Sequence, residues 1–353
     1  MKRGDEDLSE AGLSRLAPEV RPYSKYNEVL SEISRDLLSN IIELIDRAEA
    51  IAPKLRDLLP LTSLKAEATS SSVAAVDSGS SGKDLLIGYQ PMSLAVGAVF
   101  IGGLRISEPL LATLRPPQSS LDEEEGVKVS SLMGYYLMYN LASILLRKSE
   151  LVLIDGPLYL PRSYYAPRGR IYSPSYLEVY EAALRSLSGL LREAKASGKH
   201  VIGVVKRVRS HYISSWLGAD SLPDSLLSSL LLREGEALGP LPASGGWEEV
   251  APFLGDASSF RPWVMFLRRG RVPIRIDLAE YSLEVAHAIA SQIYSFSEPS
   301  TGLPLPIVAV DRLSKLTNKQ ASLVYRMLLS GARARGIDSE RFALFSLQRG
   351  ESD

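Results

Sequence analysis

The stretch Val73-Ala74-Ala75-Val76-Asp77-Ser78-Gly79-Ser80-Ser81-Gly82 decides how this chain is read. Four small or β-branched apolar residues predict a buried strand, an acid stands at its carboxyl end, and Ser-Gly-Ser-Ser-Gly is turn-forming. The pattern recurs at Leu151-Val152-Leu153-Ile154-Asp155-Gly156 and at Ile307-Val308-Ala309-Val310-Asp311, and a fourth apolar run, 201–205, ends at Lys206. Residues 129–146 and 176–197 carry helical patterning between these runs. Helix alternating with strand implies parallel crossover units. Residues 85–89, 93–101 and 110–114 read as a β-meander, with Gly88, Gly97, Gly102 and Gly103 marking bends.

Outward from this centre, residues 26–59 are apolar and polar at helical spacing (Val29, Leu30, Ile33, Leu37, Leu38, Ile41, Ile42, Ile45) and predict one or two amphipathic helices. Residues 210–258, with Ser, Gly, Pro and short leucine clusters, read as a helical insertion with loops. Strands near 264–267 and 274–276 follow, then helices over 283–294 and 318–333. The expectation is an α/β fold: a mixed central sheet flanked by helices in one large domain, 70–353, with an N-terminal helical arm, 1–69, and an insertion at about 210–258.

Composition narrows the function classes. With 353 residues, 45% hydrophobic and 23% charged, the chain fits a soluble globular protein and excludes disorder, collagen and a disulfide scaffold. The absence of cysteine excludes a structural disulfide, cysteine-ligated zinc, an iron–sulfur cluster and a thiol nucleophile, and favours a reducing, cytoplasmic setting. Its three histidines, His200, His211 and His287, do not cluster. With 40 basic against 41 acidic residues it is no general nucleic-acid coat, so DNA contacts need local concentrations of basic groups. The polar, acidic start, Met1 to Glu10, does not read as a targeting peptide, and no apolar run approaches the roughly 20 residues of a membrane span, so no membrane association is expected.

Carboxyl ends of neighbouring strands meet at one edge of a sheet, where open α/β folds place their sites. Asp77, Asp155 and Asp311 can therefore converge. Clustered carboxylates repel, and a divalent cation such as Mg²⁺ or Mn²⁺ is their usual justification. Two such ions about 4 Å apart would serve phosphodiester hydrolysis. The competing reading is that each aspartate caps a turn, which suits any one of them better than the recurrence in all three. Lys206 would stabilise a phosphate or orient the attacking water, or else is a solvated strand-end lysine. Arg207 and Arg209 extend that positive charge; Arg162, Arg168 and Arg170, in the loop after Asp155, are candidates for DNA-backbone contacts, against a solvated loop. Tyr135, Tyr136, Tyr139, Tyr159, Tyr164 and Tyr165 read more readily as core than as a base-stacking surface.

Taken in order, Val76-Asp77-Ser78-Gly79-Ser80, Leu153-Ile154-Asp155-Gly156-Pro157-Leu158, Val204-Val205-Lys206, Ile274-Arg275-Ile276-Asp277 and Pro304-Leu305-Pro306-Ile307-Val308-Ala309-Val310-Asp311-Arg312 resemble the motifs of the NurA nuclease family. The resemblance spans roughly residues 70–335. It implies an RNase H-like core, a Mn²⁺-dependent single-strand endonuclease and 5′ to 3′ exonuclease, and a homodimeric ring docked on the hexameric HerA translocase in DNA end resection. Asp77, Asp155 and Asp311 would hold the metal, with two ions, and Asp77, Asp155 and Lys206 would carry catalysis. Family members usually place a glutamate ligand in the helix before the second aspartate strand. Here that helix reads Ser131-Leu132-Met133-Gly134-Tyr135-Tyr136-Leu137-Met138-Tyr139-Asn140, without an acid, and only Asp122 to Glu125 could substitute. The last motif has Asp311 where histidine is common. Two alternatives stay open: a weakly catalytic structural subunit of the translocase complex, and an actin-like ATPase or kinase, which would need a Gly-rich segment that Ser300-Thr301-Gly302-Leu303-Pro304 does not supply.

Overall fold

The computed structural model describes residues 22–66, 71–85, 87–117, 121–166, 172–217, 222–243 and 247–337. The chain divides into two compact units, 1–51 and 52–353. In the first, residues 26–59 do not break into two helices: α1 (Tyr26–Arg56) is continuous over 31 residues, its last turn falling in the second unit. Its apolar positions Leu30, Ile33, Leu37, Leu38, Ile41 and Ile42 are all exposed.

The second unit contains β1 (Leu61–Ser63), β2 (Ser72–Leu85), β3 (Gly88–Ile101), β4 (Leu104–Arg105) and β5 (Leu110–Thr113), followed by α2 (Glu123–Leu146). Then come β6 (Leu151–Asp155), α3 (Pro174–Ala196), β7 (His200–Val205), α4 (Tyr212–Trp216), α5 (Asp224–Leu231) and β8 (Glu236–Pro242). β9 (Pro262–Leu267), β10 (Ile274–Ala279), α6 (Ala286–Ser295), α7 (Leu305–Ser314) and α8 (Asn318–Ala334) complete it. The strands form one sheet in the order β1-β8-β9-β10-β7-β6-β2-β3-β4, with β5 on β3. β2, β6 and β7 run parallel and the other pairs antiparallel, so the sheet is mixed, as expected.

Three differences from the sequence reading have physical causes. Residues 78–82 are not a turn: β2 pairs with β3 residue for residue, from Ser72↔Ile101 to Leu85↔Gly88. The glycines serve close approach, since a Cβ on Gly82 would lie 2.2 Å from the Tyr89 ring. Leu85 therefore ends β2 while Gly88 and Tyr89 begin β3, and residues 85–89 are no separate strand. The segment 210–258 contains α4 and α5 but also β8, which pairs with β1 and β9 and so belongs to the sheet. β8 is seven residues long and carries Gly239, Pro240 and Pro242, so its sequence does not read as a strand, and the leucines before it carry helical patterning. β1, read as part of the arm, likewise pairs in the second unit.

α2 and α3 cover one face of the sheet, where Leu132, Met133, Tyr139 and Leu184 pack with Val76 and Ile154. α2 starts at Asp122, whose carboxylate accepts the Glu125 backbone N–H at 2.7 Å, and three glutamates fill its first turn, where the helix dipole favours them. Its 24 residues are long and apolar enough to cross a membrane, contrary to the expectation that no segment is, yet two-thirds of that apolar window is buried within the fold. On the other face Ile289, Ile293, Ile307 and Val310 from α6 and α7 pack on Leu153, Val204 and Ile276. Fully burying one such side chain contributes roughly 1.5–3 kcal/mol. Tyr139 and Tyr159 are buried and donate to the carbonyls of Leu158 and Phe260, so these tyrosines are core.

Candidate metal centre

Val76 of β2 pairs with Ile154 of β6, so the next residues, Asp77 within β2 and Asp155 at the end of β6, stand level on adjacent strands. Asp155 pairs with Val204, which pairs with Ile276; these two apolar side chains lie in the core beneath α6 and α7. Lys206 follows β7 by one residue. Alternation along the strands sends Asp77, Asp155 and Lys206 to this same face.

Asp311 arrives by another route. The run 307–310, expected to be a strand, lies inside α7. Pro304 and Pro306 preset the first helical turn, and Ile307, Val310 and Ser314 are buried at i, i+3 and i+7. Four apolar residues in a row are compatible with either element; the Pro-Leu-Pro before them was the available signal. α7 lies against β2 because residue 79 is glycine: a Cβ there would sit 1.9 Å from the Ser314 carbonyl oxygen.

The three carboxylates converge, with one oxygen from each within 4.8 Å of the others. The Asp77 carboxylate accepts the Ser314 hydroxyl at 2.5 Å and the Ser78 backbone N–H at 2.7 Å. The Lys206 ammonium sits 2.5 Å from Asp155 and 2.7 Å from Asp311, and Lys315 lies 3.1 Å from Asp311. Burial pushes the Asp155 carboxyl up to about 7, and neighbouring Asp77 adds to the rise, against the opposing pull of Lys206. Burial also raises Asp77, despite the bonds from Ser314 and Ser78. Asp311 is half-buried; burial alone would raise it, but hydrogen bonds from Lys206 and Lys315 hold it below the usual carboxylate range. Burial alone would lower Lys206, and its bonds to Asp155 and Asp311 keep it charged above its ordinary value.

These residues fit a hard divalent cation. Three carboxylates from three elements offer oxygen donors within one ion's reach, which is the donor set such a cation takes. Asp122 to Glu125 do not join them. Asp122 is occupied in capping α2, and Glu125 accepts the Ser173 backbone N–H at 2.8 Å at the start of α3. Among the described residues no acid from α2 enters the group.

Of the arginines, Arg162 and Arg209 line one cleft of about 550 Å³, whereas Arg207, exposed beside Lys206, does not line it. Arg168 and Arg170 lie outside the described residues. Ser314 and Lys315, which touch the acids, escaped sequence reasoning because nothing local distinguishes them; their spacing of three and four residues from Asp311 carries meaning only once residue 311 is on a helix. A buried ion pair was also missed: Arg275 donates to both Asp277 oxygens, at 2.7 and 3.1 Å. Arg275 also donates to the Ser210 hydroxyl at 2.8 Å, and Asp277 accepts the Leu158 backbone N–H at 3.2 Å. The pair thus ties together the loops that leave Asp155 and Lys206.

Compared with known proteins, residues 71–316 match the NurA domain. The fold resembles the crystal structure of the NurA nuclease from Sulfolobus solfataricus, with a TM-score of 0.64 and 16% identity over 90% of this chain and 98% of that one. It also resembles a crystal structure of NurA with manganese (TM-score 0.54, 11% identity, 87% and 98% covered). A NurA bound to dAMP and manganese gives a TM-score of 0.51 at 11% identity, covering 91% of this chain and 99% of that one. No curated protein sequence matches.

Proposed function

Because the chain belongs to the NurA family, whose domain spans residues 71–316, we propose that it is a metal-dependent DNA nuclease. The observation that carries this reading is the convergence of Asp77, Asp155 and Asp311, with their oxygens within 4.8 Å, beside the ammonium of Lys206. These three residues would hold Mn²⁺, with Mg²⁺ as the alternative; bound there, the ion would activate water and neutralise charge on the phosphodiester. Lys206 would meet the scissile phosphate as a point charge, in a partly buried position where such a charge is weakly screened. Asp77 would keep its orientation through Ser314 and the Ser78 backbone.

The family resemblance implies two ions. The number of ions is read directly by Mn²⁺ titration. Family membership further supports single-strand endonuclease and 5′ to 3′ exonuclease activity, a homodimer docked on a HerA-type hexameric translocase in end resection, and a cytoplasmic setting. Arg162, Arg207 and Arg209 would contact the DNA backbone. The missing α2 glutamate favours a second reading, a weakly catalytic structural subunit of that complex. No observation favours the ATPase or kinase.

The test is cleavage of end-labelled single-stranded DNA with Mn²⁺, Mg²⁺ or EDTA, by the wild-type protein and by Asp77→Asn. Metal-dependent cutting is expected, falling by at least about 10²-fold in the variant, with the fold retained by circular dichroism. Equal cutting by both proteins overturns the site; no cutting by the wild type, even with a translocase, supports the structural-subunit reading.

A further inference from the structure

The cleft of about 550 Å³ lies on the sheet face opposite the three carboxylates, since Arg275 and Asp277 alternate away from Ile276 along β10. Its walls are the segments that continue from two residues of the metal centre: residues 157–162 beyond Asp155 and residues 209–215 beyond Lys206. The sheet register places Arg275 opposite Val205 and Asp155 opposite Val204, so the cleft floor and the metal centre are two strands apart. That is about 10 Å at the usual strand spacing.

The chemistry of the lining is specific in three ways. Arg162 and Arg209 are exposed at the rim, and neither makes an ion pair with a carboxylate among the described residues. The side walls are flat and apolar: Tyr212 and Trp263, both half-buried, with Pro161 and Pro262. The floor is the Arg275–Asp277 pair, and the Arg275 guanidinium lies 5.2 Å from the centre of the Tyr212 ring, which holds that ring in place. Unpaired guanidinium groups suit phosphate, and aromatic rings in a cleft also lined by prolines suit the π-face of a nucleobase. Floor hydrogen-bonding capacity is largely consumed internally, so the cleft accommodates any base and reads none strongly.

We propose that this cleft is a nucleotide subsite for single-stranded DNA, taking a base between Tyr212 and Trp263 and its phosphate on Arg162 and Arg209. The proposal rests on the nuclease reading for the identity of the polymer, but not for its test. A strand held there would cross the ends of β6 and β7 to reach the carboxylates, so the cleft would grip the strand beside the bond to be cut.

The experiment is binding of a labelled oligothymidylate to the full-length protein in EDTA, followed by anisotropy and by tryptophan fluorescence. An abasic oligonucleotide and thymidine monophosphate are the comparison probes. Wild-type fluorescence is expected to be quenched by oligothymidylate, and Trp263→Phe, which preserves packing, to lose most of that quench while Trp216 and Trp247 remain. Trp263→Ala is expected to bind oligothymidylate roughly tenfold more weakly and the abasic strand unchanged. Arg162→Ala with Arg209→Ala is expected to weaken both strands and to lower the slope of log affinity against log salt by about 0.7 for each lost phosphate contact. Saturable binding of the monophosphate with the same Trp263 quench would also support the subsite, as one for free nucleotide. Wild-type affinity, salt slope and quench in all these variants would overturn it. Failure of the nuclease reading shows separately, as absence of metal-dependent cleavage by a protein that still binds the strand in EDTA.

Discussion

Gly79 shows how one residue places the metal centre. With 1.9 Å between an added Cβ and the Ser314 carbonyl, Gly79→Ala must move α7 away from β2, and with it Asp311 and the Ser314 hydroxyl that holds Asp77. The variant is expected to lose on the order of 1–3 kcal/mol of stability, as overpacking does, and to bind Mn²⁺ at least tenfold more weakly; chemical denaturation and metal titration check the two effects. Asp155 sets a pH dependence. Its carboxyl titrates at about 7 in the folded protein and near the ordinary 3.8 when unfolded. An acid raised in this way contributes stability that is complete below the unfolded value and is lost as pH rises through about 7. The difference is on the order of 4 kcal/mol. Asp77, also raised, acts in the same direction; Asp311, lowered, acts in the opposite sense, but only below the ordinary carboxylate value. In EDTA the wild-type unfolding temperature is therefore expected to fall between about pH 4 and about pH 7, less so in Asp155→Asn, with Mn²⁺ restoring the wild type at the upper end. Superimposable profiles for the two proteins would contradict the assignment.

Among the elements, β10 is the one whose role extends beyond packing. Its Arg275–Asp277 pair is almost fully buried and bonds Leu158 and Ser210, so it braces the two loops leaving the metal centre. Removing one member strands the other charge in the interior, which typically costs 3–5 kcal/mol. Asp277→Asn is accordingly expected to destabilise the fold by about that amount. Removing both charges together, as Arg275→Met with Asp277→Asn, should cost less than the sum of the single changes, and a double-mutant cycle by denaturant unfolding measures the coupling. β2 and α7 make the complementary contribution on the other face: strand and helix meet through Gly79, and three carboxylates from three elements are brought together that no single element could present.

For the whole molecule, the notable surface is apolar. α1 leaves Leu30, Ile33, Leu37, Leu38, Ile41 and Ile42 exposed along its length, and α8 separately leaves Leu323, Val324 and Met327 exposed. Apolar stripes of this extent mark interaction surfaces, which agrees with the proposed homodimer. Light scattering on the wild-type protein is expected to give twice the chain mass, and Leu37→Asp with Ile41→Asp to give the monomer while leaving the second unit folded; an unchanged dimer would place the interface elsewhere.

Much of the sheet was legible from the chain because its strands are continuous apolar runs buried on both faces, as at 73–76, 151–154 and 201–204. Asp77, Asp155 and Lys206 followed from their position just beyond such runs, since the register and alternation of parallel strands fix where the next side chain stands. The α/β class, the helices read over 129–146 and 176–197 and found as Glu123–Leu146 and Pro174–Ala196, and the absence of any cysteine chemistry were likewise determined by sequence alone. Tertiary structure decided the rest. Whether 307–310 is strand or helix depends on what packs against it, because a short apolar run satisfies both periods; only the fold shows Asp311 on α7 with Ser314 and Lys315 one turn away. Whether Ser78 to Gly82 turns or continues depends on a partner strand and on the carbonyl of the sequence-distant Ser314, contacts that local propensity does not encode.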